Sequence, residues 1–380
     1  MHRLKAFLVG LLFFRLMILL APLLLFGARS GRGRLEGVFG VVVASFLGAG
    51  AVWLWHVVSG RPTPDLVMAV TGVTFVGIFP LSLLANALSR KCHLGLGPVG
   101  THHFTRDPNP DAAGWADVED DYVWLLTQLV TRLDPWMPRP EAVAARAAMR
   151  DLVDAVRTHP DYQHLVRASV GSRLMLGRLD PGHCYSYRPP TAGPDGRFGL
   201  LVFLHGHGTN YLLLLHALRP LCDQLGMVLV SPTFGYGNWE APGGVEAIDR
   251  ARRFALAAFP IDPRRVLAMG FSQGGAGVSR IAAAFPAEFA GLVFLSATME
   301  PDVLGSEAFA AGWRGKPILV IQGGRDHNVK PRTVTAAVET MQANGAAVTY
   351  HTEPDAGHFL FFAQLDQVRA VVAAWVEKVC

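Results

Sequence analysis

Six short apolar runs between residues 200 and 351 do most to limit what this chain can become. They lie at 200–204, 227–230, 266–269, 292–295, 318–321 and 348–351. Four stretches of helical spacing fall between or after them, at 244–259, 273–285, 331–344 and 359–378. Runs this short and this uniformly apolar read as strands buried on both faces. Their alternation with helices implies an α/β fold, a mostly parallel sheet covered by helices on both sides. Ahead of them, residues 173–178 and 183–188 flank Asp180-Pro181-Gly182 and read as a β-hairpin.

The chemistry-bearing residues sit where the runs end. Gly270-Phe271-Ser272-Gln273-Gly274 follows the 266–269 run and opens a helix. GxSxG is a weak signal alone and a strong one between a strand and a helix, where a tight turn lifts the serine above the sheet. A serine hydroxyl needs a base, and His358 in Asp355-Ala356-Gly357-His358 follows the last run. The imidazole in turn needs a carboxylate to fix its tautomer. Asp326, in Gln322-Gly-Gly-Arg-Asp326, is the expected acid, with Asp302 and Asp355 as rivals. The order Ser, Asp, His is that of an α/β-hydrolase. For the oxyanion, the backbone N–H of His207 in His205-Gly-His207-Gly is expected to pair with that of Gln273. The side chains of His205 and His207 are read as structural. Tyr211, Phe234, Tyr236 and Trp239 follow strands and are candidates to line an acyl pocket, or equally to fill the core.

These residues resemble those of the phospholipase/carboxylesterase group, which includes acyl-protein thioesterases, and of related dienelactone-hydrolase-like esterases. The resemblance covers about residues 170–380. It implies an α/β-hydrolase fold, a Ser272–Asp326–His358 triad, His207 and Gln273 as oxyanion donors, no metal or organic cofactor, and cleavage of carboxylic esters or thioesters. His327-Asn328 after the acid, where the family usually has proline, and Thr209-Asn210 after the oxyanion turn depart from that pattern. An acyltransferase or a serine peptidase would use the same parts; a non-catalytic membrane-bound binding protein is the reading from another class.

The first hundred residues are different in kind. They carry nine Lys/Arg and two Asp/Glu, a net of +7, whereas the overall charge is +4. The basic excess therefore belongs to membrane flanks and not to a nucleic-acid surface. Apolar runs at 6–26, 38–58 and 66–88 reach the ~20 residues that cross a bilayer. The first holds Arg15 near its middle and also suits a signal peptide, though it is longer than the usual apolar region of one. With three spans, Arg29, Arg32, Arg34, Arg90 and Lys91 outnumber Arg3, Lys5 and Arg61, which predicts a multi-pass protein with a cytoplasmic hydrolase. Membrane lipids and a small-molecule or lipid ester are the expected partners, with no nucleic acid.

The rest of the chain is expected to divide into a membrane segment (1–91), a linker (92–116), a helical segment (117–168) and a catalytic domain (169–380). In the helical segment, helices are expected over 117–133 and 141–158, the second opened by Pro140. Gly95-Leu-Gly97-Pro-Val-Gly100 matches GxGxxG, but no strand precedes it and Pro98 removes a donor, so it is no dinucleotide site. Cys92, Cys184, Cys222 and Cys380 are too scattered for a disulfide framework or a zinc site, and the His93, His102 and His103 spacing fits none either.

Overall fold

The computed structural model describes residues 21–28, 31–93, 102–106, 120–159, 183–193, 195–207, 211–234 and 237–379. The chain divides into two units. One comprises Met1–Gly95, Val118–Leu126 and Val166–Leu179, the other Leu96–Asp117, Thr127–Leu165 and Asp180–Cys380.

The second unit is built on an eight-stranded sheet of order β1-β2-β4-β3-β5-β6-β7-β8. Its strands are β1 (His102–Arg106), β2 (His183–Tyr187), β3 (Phe198–Leu204), β4 (Met227–Pro232), β5 (Ile261–Phe271), β6 (Gly291–Leu295), β7 (Pro317–Gly323) and β8 (Ala347–Glu353). The six apolar runs became β3 to β8, and β4-β3-β5-β6-β7-β8 pair in parallel. Every residue of β3 and β4 is buried, as apolar runs between two helical layers must be. Strand β8 is one edge of the sheet, and with a single neighbouring strand none of its residues is fully buried. Leu200, Val202, Val266, Ala268, Leu292, Phe294 and Ile318 belong to one continuous core. Burying each large apolar side chain there contributes about 1.5–3 kcal/mol.

Several expectations are corrected. The 173–182 half of the expected hairpin lies outside the described residues, and both edges of β2 are taken by β1 and β4, antiparallel. The linker reading of 92–116 came from Pro and Gly at 108–114, yet His102–Arg106 just before them is the edge strand β1. Its two histidines and arginine hide any apolar alternation. The stretch 359–378 is two helices, Leu360–Ala363 and Leu365–Val379, interrupted at Gln364, whose φ/ψ of −129/41 leave the helical region. A helix over Tyr211–Leu225, containing Pro220, was not expected at all.

The helices expected at 117–133 and 141–158 appear as α3 (Asp120–Leu133) and α4 (Arg139–Thr158). Pro140 stands in the first turn of α4, where its missing N–H costs nothing.

In the first unit, α1 (Gly31–Val58) and α2 (Asp65–His93) pack against each other through Phe39, Val43 and Ile78, and the Phe46 and Phe75 rings lie 5.9 Å apart. Among the described residues one helical stretch, Gly37–Val58, is long and apolar enough to cross a membrane. Of α2, the apolar part described is Asp65–Ile78, shorter than the ~20 residues a crossing needs. The first run lies outside the described residues up to residue 20. The multi-pass arrangement is therefore not carried by the structure, and the arginine count, which assumed three spans, assigns no side. The GxGxxG segment also lies outside the described residues.

Candidate active site

His207, Ser272, Asp326 and His358 follow the carboxyl ends of parallel strands, where an open α/β sheet leaves its crevice. Ser272 follows β5 directly, and α7 (Gly274–Ala284, after α5 at Tyr211–Leu225 and α6 at Gly244–Ala258) begins two residues later. Its φ is +51°, the strained left-handed conformation of a strand-to-helix elbow. The elbow is tied down on both sides: Ser272 N–H donates to the Leu295 carbonyl at 3.1 Å, and Thr298 N–H donates to the Ser272 carbonyl at 2.8 Å. The glycines of the motif have a steric cause. A Cβ on Gly270 would stand 2.5 Å from Gly274 backbone, and one on Gly274 would overlap the Leu204 carbonyl oxygen.

The three expected partners meet. His358 Nε2 lies 3.1 Å from Ser272 Oγ, and His358 Nδ1 lies 2.9 Å from Asp326 Oδ2. With the proton on Nδ1, the hydroxyl donates to Nε2 and the ring donates to the carboxylate. The Asp326 side chain is fully buried, and its charge is held by the N–H groups of Asn328 (2.9 Å) and Val329 (2.8 Å) and by Gln322 Nε2 (3.1 Å). The imidazole lies against Phe271, ring centres 5.6 Å apart. The rival acids stand elsewhere. Asp302 is exposed on a short helix, and Asp355 pairs with Arg325 at 2.7 Å.

His207 follows β3, and Gly206 beneath it is pressed against the elbow: a Cβ there would lie 3.0 Å from Ser272 Cβ. Among the described residues the N–H groups of His207 and Gln273 donate to no protein acceptor. The side chain of Gln273 is occupied separately, donating to Glu240 Oε2 at 3.0 Å. His205 stands inside the fold. Its ring is fully buried, Nδ1 lies 2.8 Å from the Gly206 carbonyl, and desolvation pulls its pKa down to about 4.

The expected pocket aromatics separate. Trp239 and Phe234 are 0% and 3% exposed, and Trp239 Nε1 donates to the His205 carbonyl at 2.9 Å. They are packing under the 205–207 turn. Tyr211 begins α5, with its side chain outside the described residues, and Tyr236 lies outside them altogether. A cavity of about 230 Å³ lies instead beside the elbow, lined in part by Ala297, Thr298, Met299, Asn328 and Val329.

Sequence reasoning missed Glu141, on α4. Its carboxylate accepts hydrogen bonds from the N–H groups of Gly357 and Phe359, the second at 2.7 Å, on either side of His358. Glu141 is 6% exposed. Burial pushes its carboxyl up from the ordinary value, against the pull of the two donors. No local pattern announces a partner 216 residues away.

The family model for the prolyl oligopeptidase family (Peptidase_S9) matches residues 306–380, about a fifth of the 380-residue chain, a stretch that includes Asp326 and His358. No curated protein matches the chain. Solved structures similar to it include a thermostable esterase (20% identity, 53% of this chain and 60% of that one, TM-score 0.43). Est1E from Butyrivibrio proteoclasticus is similar at 17% identity, over 52% of this chain and 94% of its own, with a TM-score of 0.43. The S-formylglutathione hydrolase FrmB of Staphylococcus aureus is similar at 16% identity, over 52% and 91%, also at 0.43. The match thus spans less than two thirds of the first of these. Scores this low add nothing to what the topology itself says. The sheet order, the serine elbow after β5 and the succession of serine, aspartate and histidine along the chain are those of the α/β-hydrolase fold.

Proposed function

We propose that the protein is a serine hydrolase that cleaves carboxylic esters or thioesters through an acyl-enzyme on Ser272. The observation that carries this reading is the continuous line from Ser272 Oγ to His358 Nε2 (3.1 Å) and from Nδ1 to Asp326 (2.9 Å), on a backbone strained to φ +51°. His358 takes the hydroxyl proton as Oγ attacks the carbonyl carbon. The carbonyl oxygen becomes an oxyanion between the N–H groups of His207 and Gln273. The imidazolium, steadied by Asp326, returns its proton to the leaving alcohol or thiol as the bond to carbon breaks. Water then enters by the same route, and the acid is released with Ser272 restored. Incubation with a fluorophosphonate probe, with Ser272→Ala as control, tests the reading; absence of labelling on folded wild-type protein would contradict it.

A second reading is supported by the match of residues 306–380 to the prolyl oligopeptidase family: the same parts acting on a peptide amide. Matched p-nitrophenyl ester and p-nitroanilide substrates separate the two, since an esterase leaves the anilide intact. The exposed, apolar surface of Gly37–Val58, with Trp53 and Trp55 41% and 64% exposed near its end, supports anchoring at a membrane. Deletion of residues 31–93 would then move the protein from the alkali-washed membrane pellet to the supernatant.

A further inference from the structure

The base of the site stands on a short segment between β8 and the helix Leu360–Ala363. A segment like this is free to move unless its backbone groups are held. The N–H groups directly before and after His358, those of Gly357 and Phe359, both donate to one side chain, the carboxylate of Glu141. That carboxylate comes from outside the run of strands and helices between β2 and β8, from the first turn of α4. It is buried, and its approach is close enough that a Cβ on Gly357 would lie 2.8 Å from its oxygen. Glycine before the histidine therefore has a cause in this contact. The charges that face the carboxylate are those of Asp326 and His358. A negative group there stabilises the positive charge that the ring carries in the transition state.

We propose that Glu141 is a positioning residue for this site: its carboxylate grips the backbone on both sides of His358, so that Nε2 stays on Ser272 while Nδ1 stays on Asp326. The proposal rests on the reading of Ser272, His358 and Asp326 as a catalytic triad. It gives the helical segment a place in the active site without any contact of its own with substrate. Glutamine at this position keeps the size but turns an NH₂ toward one of the two N–H donors, so at most one bond survives. Aspartate keeps the charge but is shorter by one methylene.

The test uses the full chain in detergent micelles. Wild type, Glu141→Gln, Glu141→Asp and Met149→Ala are compared for kcat and KM separately on an aryl ester and for Tm. Met149, 2% exposed on the same helix, controls for loosening of α4 alone. Glu141→Gln should lower kcat by about 10- to 100-fold with KM within about twofold, the scale of loss from a base displaced by a fraction of an ångström to 1 Å. Glu141→Asp, which keeps the charge but not the reach, should also lose kcat with KM within about twofold. Met149→Ala should lower Tm and keep kcat. Folded Glu141→Gln with wild-type kcat, or with kcat and KM changed together, would overturn the proposal and leave Glu141 a tie between α4 and the core. If Glu141→Gln does not fold, the same comparison is made on Glu141→Asp, and failure of both to fold makes the carboxylate a fold determinant, which also overturns it. A wild type that turns over no ester and takes no fluorophosphonate overturns the hydrolase reading as well.

Discussion

Asp326 presents one carboxylate oxygen to His358 Nδ1 at 2.9 Å and the other to the backbone N–H groups of Asn328 and Val329, so its charge is oriented before any substrate arrives. Its side chain has no solvent exposure. An amide in its place would offer an NH₂ to the ring and force the proton to Nε2, the nitrogen that must be free to accept from Ser272. Asp326→Asn should therefore cut ester turnover by about 10⁴-fold with the fold intact. Asp302→Asn and Asp355→Asn, at exposed positions, should stay within about twofold of wild type. Steady-state kinetics on one aryl ester checks all three, and a crippling Asp302→Asn beside a silent Asp326→Asn would reverse the acid assignment.

The elbow gives a second prediction, about stability. A Cβ on Gly274 would overlap the Leu204 carbonyl oxygen, and both partners are backbone, so neither can swing aside. Gly274→Ala should destabilise the protein by about 3 kcal/mol through overpacking alone. Thermal unfolding of the full chain in micelles measures this. A Tm equal to that of wild type would mean that the turn has slack the structure does not have.

What was legible follows from distance along the chain. The serine motif, the aspartate turn and the glycine–histidine pair each lie within a few residues of a strand end, and the strands themselves are unbroken apolar runs, so their places could be read locally. Glu141 acts on backbone 216 residues away, where no spacing rule reaches. β1 is five polar-rich residues that become a strand only because β2 offers an edge. Trp239 and Phe234, which follow a strand, could be read equally as pocket or as core. Their burial depends on the fold of the 205–207 turn above them, visible only in three dimensions.

The buried histidine of the oxyanion turn predicts a pH dependence. His205 has its pKa lowered from 6.5 to about 4 by desolvation. Between those values the unfolded chain binds a proton that the folded protein refuses, so stability falls as pH drops from about 6.5 to about 4. The loss from this one group is about 3 kcal/mol. His205→Gln, neutral throughout, should flatten the curve of Tm against pH in that window, although His216, lowered in the same way, still contributes to both proteins. Parallel curves for variant and wild type would contradict the buried neutral ring. Glu141, raised by burial, acts in the opposite sense: its contribution is present below about 4.5 and lost as pH rises through its folded value.

Where the catalytic unit begins is also testable. A fragment starting at Leu96 keeps β1 and Glu141 and should label with fluorophosphonate at a rate within about threefold of the full chain, while losing activity on membrane-dissolved esters as its local concentration at the bilayer falls. One starting at residue 170 loses both β1 and Glu141 and should label at least about tenfold more slowly. Equal labelling by the two fragments would show that neither the edge strand nor the carboxylate matters to the site.

The most direct measurement of the central claim is mass spectrometry of the full chain after reaction with a fluorophosphonate, with the modified peptide sequenced. The account predicts one phosphonyl adduct per chain, on Ser272, absent in Ser272→Ala and slowed by several decades in His358→Ala. Folded wild-type protein that takes no adduct, or takes it on another serine, would contradict it.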